Sequence, residues 1–178
     1  MSETNQLVLI ACSKSKLPHR AKAFELYQGD LFKKSWEYYG LLLEQNNYQS
    51  DCFILSAKHG LLNPHSVIDP YDETLHNFNA FELAHWARKV EHQIYNLKNE
   101  YLIESVIFLA GRKYREPLAS FLPYHIINPL EGLGIGEQKQ FINEELYKRK
   151  QERAKYNHYR QLGNSIQSFN NFLTNEAI

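Results

Sequence analysis

The sequence contains few cysteines, and the spacing between them matches no metal-binding motif. Only Cys12 and Cys52 are present among 178 residues, and they form no CxxC pair. Because disulfide frameworks and structural zinc sites need several suitably spaced cysteines, both classes are excluded. We therefore expect a reducing, cytoplasmic environment, and neither a metal nor a cofactor is predicted.

An excess of one charge and a long apolar run are absent as well. Twenty basic and twenty acidic residues give a formal net charge of zero, so the molecule as a whole exerts no long-range attraction on nucleic acid or anionic lipid. The start of the chain is polar, and no apolar run approaches the roughly 18 residues of a membrane span. A soluble protein without membrane contact is expected, and its oligomeric state is left open.

What the sequence does contain is an alternation of short apolar runs with segments of helical periodicity. The apolar runs are residues 7–12, 52–57, 105–110 and 125–130, and the helical segments are 30–45, 78–99, 115–122 and 136–151. Continuous apolar runs are typical of strands covered on both faces. The order predicts a three-layer α/β/α fold with a mainly parallel sheet of about four strands. We expect an α/β domain over 1–146 and a basic helical tail over 147–178.

Polar and small residues follow the end of every predicted strand. The four exits read "CSKSK", "SAKHG", "AGRKY" and "EGLGIGEQ". In an open α/β sheet such loops gather at the carboxyl edge and form the ligand crevice. We therefore expect one concavity there, lined by Ser13, Lys58, Tyr71, Gly111 and Glu131.

The first exit carries a cysteine between a strand and two lysines. Neighbouring lysines favour a reactive thiolate at Cys12, whereas a cysteine at the end of a strand is often simply buried. Pro18 stands where a cysteine phosphatase loop has its arginine, which excludes that class. Ser13, Lys14 and Lys16 are candidates for an anion cradle.

The second exit pairs a lysine with a histidine. Lys58 is a candidate phosphate contact, and His59 is a candidate general acid or base. The alternative is a turn with a capping histidine and a solvated lysine. In the loop that follows, Tyr71 is suited to stacking on a base and Asp72 to positioning a water or a ribose hydroxyl, unless the loop is only a surface connection.

The last two exits add basic residues, glycines and a carboxylate. Gly111, Arg112 and Tyr114 either meet the same ligand or form a solvated basic turn. The glycines of "EGLGIG" do not match the dinucleotide fingerprint, but Gly132 and Gly134 leave backbone N–H groups free for an anion. Glu131, at a strand end, is the better catalytic candidate there, because Glu137 is accounted for by the dipole of the following helix.

The tail holds a strongly basic segment. Residues 148–160 contain six basic residues and one acidic residue, which gives +5. Basic charge interleaved with Tyr156 and Tyr159 is typical of a surface that tracks a phosphate backbone and stacks bases. A solvated helix face is the alternative.

Together, "LIACSKSK", "ELYQGDLF", "ILSAKHGLLNP", "PYDETL", "FLAGRKYREPL" and "PLEGLGIGEQ" resemble a family of small bacterial and phage proteins that is catalogued as a domain of unknown function. The family is more distantly similar to the uracil-DNA-glycosylase-like domain of archaeosine synthase. The resemblance implies a three-layer α/β domain and nucleobase or nucleic-acid chemistry. Family signatures fall on Cys12, Ser13, Lys14, Lys16, Tyr27, Gly29, Lys58, His59, Gly60, Tyr71, Asp72, Gly111, Tyr114, Gly132 and Gly134.

Two functions from different classes are consistent with these residues. The first is an enzyme that acts on a nucleoside, nucleotide or nucleic-acid base, with cleavage or exchange of an N-glycosidic bond as the candidate reaction. Such chemistry needs a carboxylate, here Asp72 or Glu131, together with a group at the leaving base, here His59. The second is a non-catalytic nucleotide or nucleic-acid binding module in which the same residues recognise phosphate and base.

Overall fold

The computed structural model describes residues 5–45, 50–97 and 103–175 of the chain. The strands in these ranges are β1 Asn5–Ala11, β2 Ala21–Lys22, β3 Ser50–Ser56, β4 Gly60–Leu62, β5 Val67–Ile68, β6 Ile103–Leu109 and β7 His125–Ile127. The helices are α1 Ala23–Leu26, α2 Asp30–Gln45, α3 Ala80–Leu97, α4 Arg112–Ala119 and α5 Ile135–Asn175, and a 3₁₀ turn covers Leu75–Asn77.

Five strands form the central sheet, in the order β4-β3-β1-β6-β7. The pairs β1–β3, β1–β6 and β6–β7 are parallel, and β4 lies antiparallel to β3 at one edge. The prediction of a mixed α/β fold with a mostly parallel sheet is confirmed, and the four predicted strands correspond to the parallel ones. The fourth, however, ends at Ile127 and not at residue 130, so Glu131 does not lie at a strand end. The expected number of about four strands is corrected to five, because β4 has only three residues and its apolar pair reads as the end of a turn.

Both faces of β1 are covered. Leu7 and Leu9 belong to a core cluster with residues of α3 and α4, including Trp86 and Leu118. Val8 and Ile10 alternate with them and are fully buried on the opposite face, where α2 packs against β1 and β3. This two-sided burial explains why the runs are continuously apolar.

Helix α2 has its predicted bounds, whereas α4 begins and ends three residues before the predicted segment 115–122. Helix α5 runs without a break to Asn175, so the predicted segment 136–151 and the predicted helical tail are parts of one helix. The basic stretch at the start of this continuation contains Lys, Arg and Glu, which are strong helix formers. By its internal contacts the chain divides into the units Met1–Ile142 and Asn143–Ile178.

The order of the strands reverses at β1. From β1 the chain adds β3 on one side, and it later adds β6 on the other side. The adjacent carboxyl ends of β1 and β6 therefore form a topological switch point, where the two connections leave in opposite directions and open a crevice. Cys12 and Gly111 stand at this opening.

The turn between β3 and β4 is attached to α3 by the side chain of Gln93. The Leu61 N–H donates to Gln93 Oε1 at 2.8 Å, and Gln93 Nε2 donates to the carbonyl oxygens of His59 and Leu61 at 3.2 Å each. Gly60 has a φ of 74°, and a Cβ there would collide with the same amide. The segment 57–60 is therefore fixed both by its backbone conformation and by α3.

Replacing Gln93 by alanine is expected to lower the free energy of unfolding by about 1–3 kcal/mol, since it leaves a part-buried N–H without its acceptor. The control is Arg88→Ala on the exposed face of the same helix, for which a change below about 0.5 kcal/mol is expected. Denaturant titration of both variants measures the difference. Equal losses would show that the turn holds without the amide.

Candidate functional site

A cavity of about 690 Å³ opens at the switch point. We call it the switch-point cavity. Its walls are the loops after β1 and β6 and the first turns of α2, α4 and α5, represented by Cys12, Leu31, Gly111, Arg112, Tyr114, Gly134 and Ile135. A neighbouring cavity of about 270 Å³ shares several of these residues and adds Ser13, Asp30 and Lys139.

Three helices begin at these cavities. The first residues of α2, α4 and α5 are Asp30, Arg112 and Ile135, and all three line one or both cavities. The N-cap of α4 is Gly111, which provides no side-chain hydrogen bond to the first turn. Helix N-termini carry partial positive charge and unpaired N–H groups. At α5 the Glu137 carboxylate already accepts the Gly134 N–H at 2.7 Å, and α2 begins with the Asp30 carboxylate. The N-terminus of α4 is therefore the one suited to an anion.

The basic side chains at the mouth are held by their own helix and by the neighbouring 3₁₀ turn. Arg112 Nε lies 3.1 Å from the Glu116 carboxylate, and the Arg112 side chain is 80% exposed. Lys113 Nζ donates to the carbonyl oxygen of His76 at 3.5 Å. The charged ends of Arg112 and Lys113 are accessible from solvent at the mouth of the cavity, so a charged group of a ligand can contact them.

The inner end of the cavity contains a thiol beside a phenol. Cys12 Sγ lies 3.2 Å from the hydroxyl of Tyr114, and the Cys12 N–H donates to the carbonyl oxygen of Leu55 at 3.0 Å. Burial raises the pKa of Tyr114, and the nearby Cys12 raises it further, so this phenol stays protonated at neutral pH. The ring of Trp86 packs edge-on against Tyr114, with ring centroids 5.8 Å apart.

A chain of hydroxyl groups lies beside the loop after β1. The Tyr71 hydroxyl is 2.6 Å from that of Tyr27 and 2.7 Å from Ser56 Oγ, which accepts the His59 N–H at 3.0 Å. We call Tyr27, Ser56 and Tyr71 the hydroxyl cluster. Burial is the main cause of the raised pKa of both phenols. The pKa of Tyr71 is raised, and that of Tyr27 is raised to about 12. The cluster is therefore uncharged at neutral pH.

Cations surround the ring of Tyr71. Lys16 Nζ lies 4.3 Å from the ring centroid and Lys58 Nζ lies 5.6 Å from it, while the His59 ring packs edge-on at 5.3 Å. Burial lowers the pKa of Lys16, opposed by the charges of Cys12 and Asp72. Burial, then the charges of Lys58 and Lys89, lower the pKa of His59 against the opposing effect of Glu73.

The structure distributes the predicted site residues between two places. Cys12, Gly111, Arg112, Tyr114 and Gly134 line the switch-point cavity, and Ser13 lines the neighbouring one. Around the hydroxyl cluster lie Lys16, Lys58, His59 and Tyr71, with Asp72 close enough to act on Lys16. The expected single concavity is therefore divided, because the antiparallel return of β4 attaches the turn 57–60, and with it Lys58, to α3.

The remaining predicted residues lie at the edge of these places. Lys14 is exposed, and its carbonyl oxygen accepts a hydrogen bond from Lys16 Nζ at 3.2 Å. Glu131 lies 3.6 Å from the guanidinium of the buried Arg115, with its own side chain 66% exposed. Gly132 adopts a φ of 75°, which supports the tight turn before α5.

Three residues outside the predicted site set organise the site, and the sequence indicated only Tyr27 among them, as a family signature. Tyr27 is fully buried and bonded to Tyr71, and Ser56 is also fully buried. Trp86 Nε1 donates to the carbonyl oxygen of Ser56 at 2.9 Å. The available signal was the hydroxyl of Ser56 within the run 52–57, which is otherwise apolar.

Metal binding and membrane insertion can both be assessed from the described residues. Among the residues that the structure describes, no group of three or more His, Cys, Asp or Glu side chains could hold a metal ion. None of the helices in those ranges is both long and apolar enough to cross a bilayer.

Comparison with known proteins places the chain in a family. The profile of a family of unknown function (DUF6884) matches residues 7–144. The chain belongs to this family. No curated protein matches the chain. A solved crystal structure, that of AF0587, a protein of unknown function, matches with a TM-score of 0.39 at 13% identity. That match covers 79% of this chain and 43% of the other, so the chain spans less than half the length of that protein.

The His59 imidazole of this family member is expected to titrate below the usual pKa of about 6.5. The unfolded state then binds the proton more readily than the folded state. The contribution of His59 to stability is therefore fully present above the unfolded-state pKa of about 6.5, and it is lost as the pH falls from there through the lower pKa of the folded state. Removing the neighbouring charge with Lys58→Gln is expected to raise the pKa of His59, whereas the exposed Lys14→Gln leaves it unchanged. Proton NMR titration of the ring measures this, and an unshifted pKa in Lys58→Gln would contradict the electrostatic cause.

Proposed function

We propose that the protein binds a nucleotide in the switch-point cavity. The phosphate lies at the N-terminus of α4 beside Arg112, and the base lies against the apolar wall. The observation that carries the proposal is the convergence of three helix starts on one crevice at the reversal of strand order. Such crevices are the usual ligand sites of open α/β sheets.

The phosphate end is supported by the N-terminus of α4. Gly111 caps this helix without a side chain, and the Tyr114 N–H already donates to the Gly111 carbonyl oxygen at 3.0 Å. The N–H groups of Arg112 and Lys113 at the start of the helix can donate to phosphate oxygens. Arg112 adds a guanidinium, whose planar pair of donors matches phosphate geometry. Its present partner, Glu116, is exposed, so exchanging this carboxylate for a ligand phosphate costs little.

The base end is supported by the shape and composition of the wall. Leu31, Leu83, Pro117 and Ile135 line the cavity with apolar surface, and its volume of about 690 Å³ falls within the usual range of roughly 300–1,000 Å³ for small-molecule sites. Polar groups are confined to a few positions. One of them is the protonated hydroxyl of Tyr114, which can donate a hydrogen bond to a ring nitrogen or an oxygen.

Binding is favoured over catalysis because of the carboxylates. Among the residues that line the switch-point cavity, Glu116 is the one carboxylate, and it is paired with Arg112. The predicted catalytic residues Asp72, Glu131 and His59 are not part of that lining. Cleavage of an N-glycosidic bond needs a carboxylate or an activated water at the sugar, and the one carboxylate of the lining is engaged by Arg112.

A second candidate function is an enzyme that cleaves or exchanges the N-glycosidic bond between base and sugar. It is favoured by Cys12, which lines the cavity and also acts electrostatically on Lys16 and Tyr71. In this version Lys16 and Asp72 of the loops beside the hydroxyl cluster supply the cation and the carboxylate. The resemblance to the uracil-DNA-glycosylase-like domain of archaeosine synthase points to the same chemistry.

The binding function is tested by Arg112→Ala. We expect nucleotide affinity to fall about tenfold or more, equivalent to about 1.4 kcal/mol for a lost charge-assisted contact. The melting temperature should hold, because the side chain is largely exposed. Isothermal titration of AMP, GMP, CMP and UMP and of their nucleosides measures this, with Arg88→Ala as the matched control. Nucleotides that bind no more tightly than nucleosides, or unchanged affinity in Arg112→Ala, would contradict the proposal.

The enzyme version is tested by Asp72→Asn, which keeps the shape of the side chain and removes its charge. Release of free base from nucleosides, nucleotides or uracil-containing DNA should be abolished while binding is retained. Because Asp72 is exposed, the fold is expected to tolerate the change. Absence of base release by the unaltered protein on all three substrates would leave the binding function alone.

A further inference from the structure

A further cavity lies beside residues 76–83, the segment that also borders the switch-point cavity. It measures about 470 Å³ and is lined by Ala57, Lys58, Phe78, Phe81, His85, Trp86 and Lys89, with Glu82 at its rim. We call it the aromatic groove. We infer that the nucleotide in the switch-point cavity belongs to a single-stranded nucleic acid, and that the next base along the strand stacks on Phe81 in this groove. The inference rests on the proposed function.

Phe81 is unusually exposed for a large apolar side chain. It lies in the first turn of α3 with 81% of its surface accessible. It shares one helix row with His85 and Lys89, because residues four apart are neighbours on a helix surface. An exposed ring beside positive charge is the platform on which proteins stack the bases of single strands.

The charge of the groove complements a phosphate backbone. Lys58 and Lys89 are both exposed. Lys89 Nζ donates to the carbonyl oxygen of Lys58 at 3.0 Å, so this side chain of α3 is attached to the turn that carries Lys58. Glu82 is the one carboxylate of the lining, and it accepts the Asn79 N–H at 2.8 Å as part of the helix cap. Since these cations line the same groove as an exposed aromatic ring, a nucleic-acid strand fits the groove better than an acidic peptide, whose side chains offer few flat rings beside their charges.

The groove and the switch-point cavity are separated by one stretch of chain. His76 and Leu83 contact the cavity, while Phe78 and Phe81 contact the groove. Trp86 connects the two places, because it lines the groove and packs edge-on against Tyr114 of the cavity. Adjacent nucleotides of one strand can therefore occupy the two places, on either side of residues 76–83.

The test compares an oligonucleotide with a mononucleotide. Fluorescence anisotropy measures binding of end-labelled single-stranded DNA and RNA 12-mers and of a matched duplex, and calorimetry measures the mononucleotide. We expect the wild-type protein to bind the single strand more tightly than the mononucleotide and more tightly than the duplex. Phe81→Ala should weaken single-strand binding roughly tenfold and leave mononucleotide affinity unchanged, and Phe81→Trp should retain it. The control is Phe121→Ala, another exposed phenylalanine, at 55%.

The contribution of the lysines to oligonucleotide binding is measured separately, through its salt dependence. Lys89→Gln should lower the slope of log affinity against log salt for the oligonucleotide by about one, as expected for the loss of one phosphate contact. The salt dependence of mononucleotide binding should not change.

The outcomes separate this inference from the function on which it rests. If mononucleotides bind with the expected sensitivity to Arg112→Ala, but the single strand binds no more tightly or is unaffected by Phe81→Ala, the groove inference is wrong and the proposed function stands. If the protein binds neither ligand, both fail. Displacement of the oligonucleotide by polyglutamate at equal charge concentration would show a general acidic partner and would also overturn the inference.

Discussion

The central position of β1, hydrogen-bonded to a parallel strand on either side, is the constraint on which the site depends. Its register places Ala11 opposite Leu55 and Ile10 opposite Leu109, so all three strands end at one level. The loops that follow must then emerge side by side, and the reversal of strand order opens a space between two of them. Cys12 stands at this opening and bonds through its N–H to β3. The first loop is thereby held at the sheet edge.

Burial of neutral hydroxyl groups supplies a second level of organisation. Tyr27 and Ser56 are removed from solvent, and each satisfies its hydroxyl through the hydroxyl of Tyr71. Buried polar groups are costly unless they are paired, so this arrangement fixes the loop that carries Tyr71 against β3. The fixed ring then provides a face for the Lys16 cation. An uncharged interior network thus positions charged groups at the surface.

Electrostatics in this protein act locally. The full chain has a formal net charge of zero, while residues 148–160 carry +5 and the remainder −5. Side chains in the basic segment, including Tyr156 at 66% exposed, face solvent where the structure describes them. At the site the cations Lys58 and Lys89 are close enough to lower the pKa of His59. A ligand is therefore attracted by individual patches, whose effect is screened by salt beyond about 10 Å.

Local patterns in the sequence determined the parallel strands, the bounds of α2 and the position of the loops that form the switch-point cavity. In β1, β3 and β6 the continuous apolar runs report burial on both faces, whereas β7 is only half-buried and ends four residues before Glu131. Residues directly after β1, β3 and β6 remain next to the strand end in the fold. Only the tertiary structure decided which loops share a cavity. The return of β4 and the amide of Gln93 attach Lys58 to α3, and the contact between Tyr27 and Tyr71 joins residues far apart in sequence. Such contacts depend on strand order and helix packing, which no local periodicity encodes.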